Sequence, residues 1–156
     1  PAVINFPSPG FAYGQHRRNL ERNNYGVQQE LKTLRTAKEL GFYTFGLAYD
    51  EEIAMQIAAD NHDALVLGLA MLEWENGGAT LEQAAEYINR VSTKVKAVAP
   101  EMLIFVQGLP VQTPEDTQYI YDHTDAVGFI GINNMDYGTK PIQDTVAAFK
   151  SAKIHA

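Results

Sequence analysis

The sequence predicts an α/β domain in which a parallel sheet is covered by helices. Two observations carry this expectation. Short apolar runs alternate with amphipathic helical patterns five times along 156 residues. The runs are also apolar almost throughout, rather than at every second position. A strand that is apolar on both sides is buried on both sides, which is the condition of a parallel sheet under helices.

Each element has its own local reason. Ala2–Phe6 reads as the first strand, and Pro7, Pro9 and Gly10 end it. A charged loop with Arg17, Arg18 and Arg22 comes next, then a helix with Val27, Leu31, Leu34 and Ala37 at helical spacing. Phe42–Tyr49 is the second strand. Asp50 caps the next helix, which runs through Ala59 with Glu51 and Glu52 where the helix dipole favours carboxylates. Asp63–Met71 is the third strand. Thr80-Leu-Glu-Gln83 reads as a capping box opening a long helix, with Leu81, Ala84, Ile88, Val91 and Val95 on one face. Met102–Gln107 is the fourth strand, and Thr113-Pro114 supplies an N-cap with proline at the first helical position. Ala126–Ile132 is the fifth, and Pro141 begins a last helix with Val146 and Phe149 turned inward.

Composition bounds the function. The chain is 46% hydrophobic and 20% charged, as expected for one globular domain over residues 1–156 that buries a sizeable core. A net charge of −7 argues against a nucleic-acid or anionic-membrane partner. The lack of cysteine excludes disulfides, thiolate metal sites and a cysteine nucleophile, and is compatible with the expected cytoplasmic location. No apolar stretch approaches the roughly 20 residues that span a bilayer, and no leader pattern is read. The start at Pro1 reads as a processing boundary.

Two architectures fit the alternation: a five-stranded doubly wound sheet, or strands four to eight of a (β/α)8 barrel. A complete barrel takes about 250 residues and at least about 200. Composition and periodicity leave both open.

In either architecture, ligands sit at the C-terminal ends of the strands. His62 and His123 fall just before strands, on the opposite face, and His155 is in the tail. His16 alone lies in a strand-to-helix loop. No Ser–His–Asp order, phosphate-binding loop or dinucleotide fingerprint is read. The predicted functional face collects Asn5, Ser8, Arg17, Asn19, Glu21, Tyr49, Asp50, Glu73, Trp74, Glu75, Asn76, Gln107, Asn133, Asn134 and Asp136. An arginine there presents a planar fork to a carboxylate or phosphonate, and a nearby carboxylate orients that fork or moves protons. Plainer readings stand beside these. Arg17 and Glu21 are spaced as a surface ion pair, Asp50 as a helix cap, Asn133 to Asp136 as a turn, and Trp74 as packing. No resident cofactor is required by any motif. Asp50, Glu73, Glu75 and Asp136 could hold Mg²⁺ through oxygen ligands, or simply form a solvated rim.

Several ordered motifs narrow the choice. Asn5-Phe-Pro…Gly10, Gly14-x-x-Arg17-x-Asn19-Leu-Glu21 and Glu30 are followed by Asp63-Ala-Leu-Val and Gly77-Gly78. Gly108-x-Pro110, Pro114-Glu-Asp116, Gly128-Phe-x-Gly131-x-x-x-Met135 and Ala148-Phe149-Lys150 complete the set. Together they resemble the TIM-barrel phosphoenolpyruvate hydrolase-like family, also called phosphonopyruvate hydrolase-like or "TIM-barrel signal transduction". The resemblance implies a (β/α)8 TIM barrel of which this chain supplies the fourth to eighth units. It departs from the family pattern at three places. Gly68 and Gln107 stand where members commonly carry histidines, and Asn133-Asn-Met-Asp-Tyr137 replaces a Ser-Ser-Met-Glu-Arg stretch. Glutamine donates hydrogen bonds where an imidazole would, but does not titrate near neutral pH.

The resemblance implies two functions as expectations. The first is a hydrolase or lyase acting on a small anionic 2-oxo acid or phosphonate through an enolate-like species. In it Glu21 and Gln107 are catalytic, and Asn5, Ser8, Arg17, Asn19, Asn133 and Asp136 bind substrate, without a protein-bound metal. The second is a non-catalytic ligand-binding or protein-interaction barrel of the same descent. Either expects the open barrel to be completed by a missing N-terminal segment or by a homo-oligomer.

Overall fold

A computed structural model of the chain describes residues 1–5, 15–70, 72, 78–131 and 142–154, the side chains of residues 15–17 excepted. The apolar runs form the strands β1 (Ala2–Ile4), β2 (Tyr43–Ala48), β3 (Ala64–Gly68), β4 (Leu103–Gln107) and β5 (Gly128–Ile130). The helices are α1 (Gln15–Arg22), α2 (Val27–Glu39), α3 (Glu51–Ala59), α4 (Leu81–Val98), α5 (Pro114–His123) and α6 (Ile142–Lys150). Every strand pairing is parallel, and the order across the sheet is the order along the chain. That excludes the doubly wound alternative, whose order reverses at a switch point. Parallel crossovers of one hand, the general rule for such units, put the helices between successive neighbours on one side, and the sheet curls as a half-barrel.

Local chemistry sets the element ends. Asp50 accepts from the Ile53 amide at 2.8 Å, and Thr80 with Gln83 and Thr113 with Asp116 form complete capping boxes. The charged segment after β1 corrects the sequence reading, because Gln15–Arg22 is a helix rather than a loop. Its glutamine, arginines, leucine and glutamate are good helix formers. Asn24, at φ 58°, then ends it in the left-handed conformation that asparagine tolerates.

The core lies between the convex face of the sheet and the helices. Leu65, Leu67, Ile104 and Val106 meet Ile57, Ile88, Val91, Val95 and Ile120, all fully buried. Each such side chain contributes about 1.5–3 kcal/mol of burial. Gly46 lets α3 approach β2, since any side chain there would collide with Ile57.

The concave face is filled in layers by the strands themselves. The cross-strand register places Ile4, Phe45, Ala64 and Leu103 in one layer. Leu47, Val66, Phe105 and Gly128 form the next. Large residues sit beside small ones: Phe45 meets Phe105 edge-on at 5.4 Å above Ala64 and Val66, and Phe105 covers Gly128. At the N-terminal end of the sheet Tyr43 and Leu103 remain 40% and 41% exposed.

His62 lies at that same end, before β3 as read from the sequence, and is 2% exposed. Thr44 Oγ1 donates to Asp63 at 2.9 Å, so His62 Nδ1 must donate to Thr44, 3.0 Å away. Nε2 is thereby the bare acceptor, 3.9 Å from Asp60. Burial, only partly offset by the Asp60 carboxylate, holds the imidazole below its usual value of 6.5. The unfolded chain therefore takes up a proton on His62 before the folded one does. Stability should be full above about pH 6.5 and fall as pH drops towards the folded-state value. Denaturation midpoints at pH 7.5 and 5 should show this loss, and His62→Gln should reduce it.

Candidate functional site at the C-terminal mouth

The C-terminal ends of the strands and the N-termini of α2 to α5 share one end of the half-barrel, as βα connectivity requires. The top layer of the concave face lies here, with Gly68 paired to Gln107 and Gln107 to Ile130. Tyr49 comes directly after β2 and continues its alternation. Its ring occupies the space that any side chain on Gly68 would need. Burial, and secondarily the charge of Glu30, push the Tyr49 phenol above its ordinary value. It is therefore neutral and protonated at physiological pH. Below this layer the concave side chains are Leu47, Val66 and Phe105, so the polar groups sit on an apolar base.

Other predicted site residues have defined local partners. Asn5 is buried, and its amide makes both a donor bond to the Leu47 carbonyl at 3.3 Å and an acceptor bond from the Leu47 amide at 2.6 Å. It mimics one further residue of the β1–β2 ladder. Glu21 Oε1 accepts from the Val27 amide at 3.0 Å. This supplies the cap for α2 that Gly26 has no side chain to provide. A side chain on Gly26 would in turn displace the Glu21 carboxylate. Asn19 is exposed on α1, and its carbonyl accepts from the Asn23 side chain at 2.7 Å. Asp50 is the α3 cap.

Arg17 belongs to α1, four residues before Glu21, and its side chain lies outside the described part. Ser8, Asn133 and Asp136 also fall outside the described residues, as do Glu73, Trp74, Glu75, Asn76 and Asn134. Among the described residues no group of three or more His, Asp or Glu stands close enough to hold a metal. His123 is the last residue of α5, where Nδ1 bonds the Tyr119 carbonyl at 2.8 Å and the ring stacks on Tyr119. A cavity of about 380 Å³ lies on the helical side, lined by Phe129, Val146, Phe149 and Lys150 among others. Among the described residues no helix is long and apolar enough to cross a membrane.

The sequence reading missed two features of the mouth. The Tyr49–Gly68 packing emerges only from the cross-strand register. The Glu21 cap on α2 had a visible signal, a helix start at Gly26-Val27 with no capping side chain of its own. The Asn5 bonds carry a separate expectation. Asn5→Ala strands the Leu47 amide and carbonyl, and should cost about 1–3 kcal/mol in denaturant unfolding. Unchanged stability would give Asn5 to ligand binding alone.

Comparison with known proteins agrees with this geometry. The native KDPGal structure superposes with a TM-score of 0.52 at 19% identity, over 78% of this chain and 52% of that one. A double mutant of flavocytochrome b2 with pyruvate bound superposes equally, with a TM-score of 0.52 at 16% identity, over 97% of this chain and 41% of that one. These likenesses show the barrel fold. By sequence the chain is 28% identical to a putative transcriptional regulatory protein, y4pA, of Sinorhizobium fredii. It is 26% identical to the ToMV susceptible protein tm-1(GCR26) of Solanum lycopersicum. These alignments cover 96% and 94% of this chain but only 26% and 20% of those proteins. The family model described as phosphoenolpyruvate hydrolase-like matches residues 1–152, and the chain belongs to that family.

Proposed function

We propose that this domain binds a small anionic 2-oxo acid or phosphonate at the C-terminal mouth and acts on it as a hydrolase or lyase. The observation that carries the reading is the top layer of the concave face. Gln107 stands there on an apolar base at the strand ends, in a chain of this family. Breaking a C–C or C–P bond next to a carbonyl leaves the electron pair on an enolate-like oxygen. A fixed side-chain amide donor stabilises that charge without titrating. Arg17 clamps the carboxylate or phosphonate, and Glu21 holds or moves protons from the adjoining turn of α1. Ser8, Asn19, Asn133 and Asp136 complete the substrate-binding shell. The N-termini of α2 to α5 open at the same end, those of α2, α3 and α5 already capped by Glu21, Asp50 and Asp116. Mg²⁺, if used, would be held by Glu73, Glu75 and Asp136, since Asp50 is occupied as a cap.

A second reading, a barrel that binds its ligand or a partner without turnover, has its own support. Asn5 and Glu21 already satisfy backbone groups, and the relatives carry regulatory and resistance names. Turnover of pyruvate-class 2-oxo acids and phosphonates separates the two. Product formation supports the enzyme, whereas a ligand-dependent rise in melting temperature without product supports the binding barrel. Under both readings Arg17→Met should abolish small-anion binding, at a cost on the order of 2–5 kcal/mol, with the fold intact. Arg18→Met and Arg22→Met should cost much less, as a salt-dependent loss. Equal losses from all three would mean a diffuse patch.

The half-exposed Tyr43 and Leu103 support completion of the barrel by further βα units or by a second copy. Light scattering on these 156 residues alone should then report self-association. A well-behaved monomer would count against it.

A further inference from the structure

We propose that the cavity between α5, β5 and α6 is a second ligand site, on the helical side of the sheet, and that it takes a small hydrophobic carboxylate. The inference does not depend on the 2-oxo acid reading of the mouth.

The last helix is docked unlike those before it. Each of α2 to α5 buries at least two of its residues, whereas α6 buries none. Its apolar residues Val146 and Phe149 instead line a cavity of about 380 Å³. Close-packed interiors hold few voids larger than a water molecule, so this volume is on the scale of a small-molecule pocket. The hollow has its cause in the sheet. Phe129 of β5 stacks on Phe149 at 5.6 Å, and Gly131, two positions on, lines the same cavity with no side chain to fill it. Another wall comes from the C-terminal tail through Ile154. Gln118 of α5 holds that tail: its side-chain amide donates to the Lys153 carbonyl at 3.0 Å and accepts from the Lys153 amide at 2.7 Å. Thr117 also lines the cavity, but its hydroxyl donates to the Thr113 carbonyl at 3.1 Å and is committed within α5.

Such walls suit an apolar body and give water too few partners to fill the space. Lys150 sets the charge of the ligand. It belongs to the lining and is exposed, so its stem can cover hydrocarbon at the opening while the ammonium meets a carboxylate in solvent. Among the described residues no carboxylate lies within ion-pair distance of it. Completion of the barrel does not occupy the site. A unit added at the free edge of β5 brings its helix to the outer side of α6, whereas the cavity lies on the inner side, between α6 and α5.

The test uses octanoate, with 1-octanol as its uncharged counterpart, titrated into the whole protein and followed by calorimetry and methyl NMR. Octanoate should bind with a submillimolar Kd and shift the methyl signals of Val146 and Ile154. Lys150→Met should weaken octanoate about five-fold, the upper scale of an exposed ion pair, and leave 1-octanol unchanged. Val146→Trp should fill the hollow and abolish both, with the melting temperature held or raised. If Val146→Trp does not fold, the methyl shifts decide the location. No binding at millimolar octanoate, or shifts confined to other parts of the protein, would overturn the inference. Unchanged octanoate affinity in Lys150→Met would overturn the anionic assignment. Self-association that Val146→Trp abolishes, in a wild type that ignores octanoate, would give the cavity to a second copy and overturn it equally.

Discussion

Among the described residues, α2 to α5 pack against one side of the sheet, so they contribute nothing to the concave face. It must be filled by the side chains that the strands themselves project. With close-packed interiors, that filling works only if bulky and small residues alternate between neighbouring strands. Phe105 over Gly128 and Tyr49 over Gly68 are solutions of that one constraint. The lower layers solve it with hydrocarbon and the top layer with a phenol and an amide. The chemistry of the mouth is thus the last course of the same packing that forms the barrel.

The carboxylates around the mouth obey a second rule. Glu21, Asp50 and Asp116 each accept from backbone amides at the start of a helix, α2, α3 and α5 respectively. A chain of net charge −7 could look like an acidic metal cup at this end. Much of that acidity instead satisfies exposed helix amides and interacts with the dipoles of the helices it opens. The positive ends of α2, α3 and α5 are thereby already partly neutralised from within the chain.

Local signals were legible where a single segment carries them. The Thr80 and Thr113 capping boxes, the Asp50 cap and the buried stripe of Leu31 and Leu34 are all visible in sequence spacing. The strands were legible as apolar runs, but their ends were read one to three residues too long at several places. Residues such as Met102 and Ala126 are buried beside the sheet without joining it. Gln15–Arg22 was obscured because its charges resemble a loop, although the residues themselves favour helix. Contacts between distant segments were not legible. Asn5 to Leu47 spans 42 positions, and nothing local in Asn5 announces it. Of the candidate site, residue identities could be proposed from the chain, but the partners of Asn5, Glu21 and Tyr49 required the register.

The Asn5 amide has a consequence for how such a domain diversifies. By gripping both backbone groups of Leu47, it finishes the β1 ladder with a side chain and ties down the point where the next segment departs. Loop length and composition after position 5 can change between descendants without unravelling β1. The end of β1 is thus held by a side chain 42 positions away from its partner, independently of the residue that follows it in the chain.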